Sequence, residues 1–208
     1  MASRNRRAAF ASGLAALFAV AGLGLGAAPA QADPPPTPAC NPDGNRNWED
    51  VVSVRLEPTV TEFAAVNVTP GTTGEYPTTL TETAVVNTMV NGSTEVTADY
   101  KALFANVGAK VGFAVADTKT STHIAPLTEP VTFSIPGYYG RYRGFHKVTG
   151  EWARYICARS GPGTGLWIKS TIGGTFTTFG NVEKGTVSCA SPEPAGTLRA
   201  AARLKLSC

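Results

Sequence analysis

Apolar and polar positions alternate with a period of two along most of this chain. The longest such stretch is residues 78–122. Read as a hairpin, it places Val96, Ala98, Tyr100, Ala102 and Phe104 on one face of a first strand. Val107, Ala109, Val111, Phe113 and Val115 then line the same face of a second strand. Thr97, Asp99, Lys101, Lys110 and Gly112 fall on the other face. Period two sends successive side chains to opposite sides of a sheet. A two-faced strand of about nine residues is long enough to cross a bilayer within a barrel. The ten apolar residues are therefore candidates for membrane insertion. A second period competes within the same stretch. Tyr100, Leu103, Phe104 and Val107 also match i, i+3, i+4, i+7 of an amphipathic helix, which Asp99 could cap. Pattern alone does not choose between the two.

Shorter alternations flank this stretch. Val52, Val54 and Leu56 share one side of a strand within residues 48–60, and residues 63–68 form a second short apolar run. Residues 70–77 are rich in turn formers. Asn91-Gly92 is a strong hairpin dipeptide. Val131, Phe133 and Ile135 predict a short strand ending at Pro136-Gly137. Residues 138–157 read as a strand, 160–165 as a turn, and 166–172, 175–179 and 186–189 as further short strands. In the tail, Leu198, Ala200, Ala202, Leu204, Leu206 and Cys208 alternate with Arg199, Arg203 and Lys205, which predicts a last strand, although the Ala run also permits a helix. Abundant Thr and Val with recurrent Gly and Pro give an all-β class. The expected form is an elongated, twisted antiparallel sheet or sandwich with long Thr-rich strands, an amphipathic hairpin and two disulfides.

Composition places this fold outside the cell. Residues 1–32 combine Arg4, Arg6 and Arg7, an apolar Ala/Gly/Leu stretch and a small-residue Ala30-Gln31-Ala32 site, the pattern of a cleaved secretion signal. The Ala-rich style points to a bacterial precursor. Residues 33–47 form a Pro-rich extended leader, and residues 48–208 are expected to be a single β-rich extracellular domain. Loss of the three signal arginines leaves 15 basic and 15 acidic residues, so the charge gives no reason to expect nucleic acid. The distribution is uneven. Residues 33–100 hold ten acids and two bases, whereas residues 101–208 hold five acids and thirteen bases. Either the halves pair within one sheet, or a basic face meets an anionic lipid or wall polymer.

Four cysteines in an exported chain imply two disulfides, and three connectivities are open. The expected pairing is Cys157–Cys189 with Cys40–Cys208. No CxxC, HExxH, GxSxG or phosphate-binding loop is present. His123 and His146 sit in no metal-ligand spacing. Glu151 with Glu129 or Asp117 could make a carboxylate pair for glycoside chemistry. The chain reads as a non-enzyme with no cofactor. Its aromatic and basic centre, residues 138–157, supplies the candidate surface-binding residues Tyr139, Arg141, Tyr142, Arg143 and Trp152. They would bind a surface glycan or a lipid interface, or simply face the core.

The order of these segments resembles the stem module of aerolysin-type β-pore-forming toxins, the group that includes epsilon-toxin-like and mosquitocidal-toxin-like proteins. The resemblance spans roughly residues 67–155. It is carried by Asn67-Val68-Thr69, Pro77-Thr78-Thr79-Leu80, the Thr-rich residues 83–96 and the amphipathic residues 102–115. The Pro-flanked Val131–Pro136 strand and Tyr139-Gly140-Arg141-Tyr142-Arg143 complete it. The resemblance implies secretion as a soluble monomer, homo-oligomerisation, and a barrel built from one hairpin per subunit.

Overall fold

A computed structural model describes residues 39–44, 47–118, 120–122 and 128–208, apart from the Asp99 side chain. The signal segment, most of the leader and His123 lie outside them. The fold is all-β and antiparallel. Its frame is three long strands, β2 (Asn47–Val68), β7 (Gly137–Gly161) and β8 (Thr164–Ser188). Between β2 and β7 the chain forms β3 (Gly74–Thr79), β4 (Thr81–Glu82), β5 (Met89–Val90), helix α1 (Lys101–Val111) and β6 (Thr128–Phe133). The main sheet runs β1-β8-β7-β2-β4, where β1 is Ala39–Cys40, and β5 also pairs with β8. Strands β3 and β6 make a separate ribbon in which Pro77 and Pro130 face each other, a rung to which neither can donate an amide hydrogen. Helix α2 (Leu198–Leu204) closes the chain.

Residues 138–157, read as one strand, fall within β7, whereas β2 and β8 were expected as shorter pieces. Bulges explain the difference. Pairing of β2 with β7 shifts register between Val51 and Ser53 and between Val60 and Glu62. The β7–β8 ladder shifts at three further places. Each extra residue inverts the local alternation, so one continuous strand reads as fragments. The two predicted turns are present. Asn91 (φ 51°) and Gly92 (φ 79°) take the positive dihedrals of a tight hairpin turn. Pro162-Gly163 joins β7 to β8, with Gly163 at φ 66°.

Strand β7 is paired on both edges, and its alternation sorts the rest of the molecule. On its even-numbered face, Val148 and Trp152 pack with Val51, Phe176 and Val90 beneath Leu103, Phe104 and Val107 of α1. Further along that face, Tyr142 packs with Val60 and Val187 beneath Leu198, Ala202 and Leu206. On the odd face, Phe145 meets Phe179 and Val86.

Three expectations are corrected. The amphipathic hairpin is not formed in this state: its residues make a 3-10 turn at Ala98–Tyr100 followed by α1. Only Ala105-Asn106 separates the two proposed strands, with no glycine to supply a positive φ for a two-residue turn. The helical spacing Tyr100, Leu103, Phe104, Val107 wins instead, and Gly112 at φ 80° caps the helix in the left-handed region. The tail is a helix rather than a strand. The Thr197 hydroxyl accepts from the Ala200 amide at 3.1 Å, and the Ala run favours helix.

The disulfides are Cys40–Cys157 and Cys189–Cys208. Cys157 sits near the β7–β8 turn and Cys189 beyond the far end of β8, so the expected Cys157–Cys189 pair would have to reach along that strand. Cys40 lies by the same turn as Cys157, because β1 pairs with β8 at Gly165 and Leu166. The two bridges span 117 and 19 residues. In the chain-entropy account they remove about 5 and about 3 kcal/mol of unfolded-state freedom.

One close approach tests this frame. A β-carbon on Gly150 would lie 2.0 Å from the Ser53 carbonyl oxygen and 2.7 Å from the Phe176 ring. Gly150→Ala is therefore expected to lower the urea midpoint, with a loss of about 1–3 kcal/mol. A wild-type midpoint would contradict the contact of β7 with the β2 bulge.

Candidate membrane-active segment

Helix α1 carries or adjoins all ten insertion candidates, and it divides them. Phe104 and Val107 are buried against the sheet, together with Leu103. Tyr100, Val96, Val111, Phe113 and Val115 pack at its margin, half-buried. The Tyr100 ring meets Trp152 edge-on at 5.6 Å. Ala98, Ala102 and Ala109 point to solvent. Burying Leu103, Phe104 and Val107 stabilises the packing by roughly 1.5–3 kcal/mol each. The helix has little stability of its own. No side chain caps its N-terminus, and Gly108 occupies its interior. Eleven residues is short for a helix in water. Tertiary packing therefore holds it.

Polar contacts add to that hold, and they fall on a sheet edge. Among the described residues, the only strand paired with β2 on its outer side is β4, at Glu62 and Phe63, and Thr83 and Ala84 just beyond β4 donate to the Thr61 carbonyl oxygen. From α1, Asn106 Nδ2 donates to the Glu49 carbonyl oxygen at 2.8 Å and Lys110 Nζ to that of Val51 at 2.6 Å. Lys110 also lies 4.0 Å from the buried Asp50 carboxylate. Beyond the helix, Arg55, Glu57 and Pro58 occupy the same strand, a charged and proline-bearing sequence that discourages pairing. Helix α1 thus covers both a core face and a strand edge.

Most of the surface-binding candidates serve the structure. Trp152 is buried at the centre of the first cluster. Arg141 is buried, donating to the Glu129 carbonyl at 2.8 Å and to its carboxylate at 3.2 Å. Lys184 reaches the other Glu129 oxygen at 2.9 Å, and this hydrogen bond, with that from Arg141, holds the carboxyl below its usual range. Arg143 meets the buried Glu62 directly across the β2–β7 ladder at 2.7 Å. Glu57 with Lys147 and Glu49 with Arg154 are also opposite pairs. The acidic first half and basic second half therefore neutralise each other within one sheet. Tyr139, like Arg143, is half-buried, and it stacks on Phe133 at 4.6 Å with its hydroxyl donating to the Ile135 carbonyl oxygen.

Tyr142 is 1% exposed and donates to a Glu183 carboxylate oxygen. Burial first, and then that hydrogen bond, raise its phenol above the ordinary value near 10.

No family model matches the chain, and comparison with curated proteins and with solved structures found no match.

Sequence reasoning missed the cluster of Trp48, Tyr155 and Trp167. The rings of Tyr155 and Trp167 lie 5.6 and 6.5 Å from Trp48. The three residues are far apart in sequence and meet only through strand register, so no local signal marks them.

Two measurements test this assignment. Removing Arg143 strands the Glu62 charge in the sheet, so Arg143→Ala is expected to cost about 3–5 kcal/mol in chemical denaturation. Loss of less than about 1 kcal/mol would make the pair a solvated one. Above about pH 10 the unfolded chain releases a Tyr142 proton that the folded chain retains, so stability falls as pH rises. At pH 11 the folded wild type and Tyr142→Phe should show equal phenolate absorbance at 295 nm and should separate only on unfolding. A difference in the folded state would place the phenol in contact with water.

Proposed function

We propose that this chain is a secreted, aerolysin-like membrane-perturbing protein that oligomerises and inserts residues 96–115 as a β-hairpin. The signal-like residues 1–32 and the two disulfides support export to an oxidising compartment. One observation carries the reading. A segment whose residues satisfy both the strand and the helix period is stored as a weakly autonomous helix over a sheet of long antiparallel strands.

Release of α1 would uncover Val51, Val148, Trp152 and Phe176 and free the β2 edge at Glu49 and Val51. In water that exchange is unfavourable. Lipid contact along the hairpin and edge pairing between copies would offset it, because a closed barrel satisfies every backbone group within a bilayer. In the extended register Lys101, Lys110 and Asp99 face the lumen, where charge is tolerated. The competing role, a non-catalytic module gripping a glycan through Tyr139, Arg141, Tyr142, Arg143 and Trp152, loses support because Arg141, Tyr142 and Trp152 are buried.

Ala102 and Ala109 separate the stored state from the inserted one. Both are exposed on the helix, so Ala102→Arg/Ala109→Arg should leave the soluble melting temperature near that of wild type. On the lipid face of a hairpin each guanidinium would cost up to about 2–4 kcal/mol, less towards the interfaces. The mature, oxidised wild type is expected to release dye from liposomes and to form SDS-resistant oligomers. The double variant is expected to release at least about tenfold less. Undiminished release by the variant, or none by the wild type across lipid mixtures and whole cells, would refute insertion of this segment.

A further inference from the structure

The β7–β8 hairpin extends past the cover of α1, and its end is apolar on both faces. On the even face Ile156 lies directly opposite Ile168, and Leu166 follows at the next position on that side. They are 40%, 52% and 50% exposed, although they continue the face that α1 buries further in. On the odd face the half-buried rings of Trp48, Tyr155 and Trp167 gather beside the Cys40–Cys157 bridge. That bridge ties β1 against β8 and holds the end of the hairpin in place.

Charge selects the surroundings. No acidic residue occurs between Glu151 and Glu183, whereas Arg154, Arg159 and Lys169 all fall in this arm. Arg154 is paired with Glu49 and Arg159 with Asp43, which leaves Lys169 as the arm's one cation without an ion pair among the described residues. A rigid partner protein covers one side of a ribbon. A lipid interface can surround both, taking aliphatic side chains into the acyl region and leaving indole, phenol and ammonium groups at the headgroups. Asp43 and Glu49 are each matched by one of the arm's arginines, so the remaining charge of the arm is that of Lys169, which favours an anionic interface.

We propose that the end of the β7–β8 hairpin is the first membrane contact of this protein, an anchor that dips Ile156, Leu166 and Ile168 into an anionic phospholipid surface. This inference rests on the membrane-perturbing reading and adds to it the place and lipid class of attachment. The anchor is separate from α1, so binding would precede release of the helix.

The test uses the full mature, oxidised chain and vesicles of phosphatidylcholine with or without phosphatidylglycerol. Binding is followed by co-sedimentation and by quenching of tryptophan fluorescence with brominated acyl chains. The wild type is expected to bind the anionic vesicles and to be quenched. Leu166→Ser/Ile168→Ser changes only exposed positions, and it should keep the wild-type melting temperature while weakening binding by about tenfold or more. Lys169→Glu should weaken binding to anionic vesicles selectively. Equal binding by the serine variant, or no binding by the wild type, would overturn the anchor. Retention on an insoluble anionic wall polymer without vesicle binding would overturn it in favour of that polymer. Vesicle binding without dye release would keep the anchor and refute insertion of residues 96–115. Release unaffected by the serine pair would do the reverse.

Discussion

Strand β7 has a hydrogen-bonded neighbour on each edge from Tyr139 to Ile156. Its residues cannot exchange faces without disturbing two ladders at once. That constraint decides what covers each side. Val148 and Trp152 on one face need an apolar lid, which α1 supplies, and Tyr142 needs another, which α2 supplies. On the other face Arg141, Arg143 and Lys147 need carboxylates, which Glu129, Glu62 and Glu57 supply. The charge imbalance between the halves of the chain is the sequence trace of this pairing.

The two helical lids are not equivalent. Helix α2 is capped by Thr197 and lies within the loop closed by Cys189–Cys208, so it stays tethered to the end of β8. Helix α1 lacks a side-chain cap and no disulfide holds it, and it depends on three buried side chains and a few polar contacts to β2. If one layer of this fold is to be exchanged for another environment, α1 costs least to move. The covalent bridges brace the hairpin end and the C-terminal helix around it.

Much of the architecture was legible in the sequence. The β composition, the Asn91-Gly92 turn and the Gly-rich turn near residue 162 all reflect local backbone chemistry, and local chemistry is what a sequence displays. Three features were not legible for three separate reasons. Bulges at Val52 and Thr61 break the alternation of β2, so one strand read as two. Residues 100–107 fit both periods, and the choice of helix depends on the apolar surface around Val148 and Trp152, which forms only after folding. The disulfides, like the Trp48–Tyr155–Trp167 cluster, are set by which strand ends meet, a property of topology. The arginines at 141 and 143 looked available for binding because their acidic partners are distant in sequence.

The central claim is that residues 96–115 exchange helix for strand at a membrane. Spin labels placed one at a time along this segment, with collisional access to lipid-soluble oxygen measured in liposome-bound protein, test it most directly. The account predicts that access alternates with a period of two, high at the apolar set beginning Val96, Ala98 and low at the set that includes Lys101 and Lys110. A period near 3.6, with Leu103, Phe104 and Val107 still shielded as in the soluble fold, would contradict it.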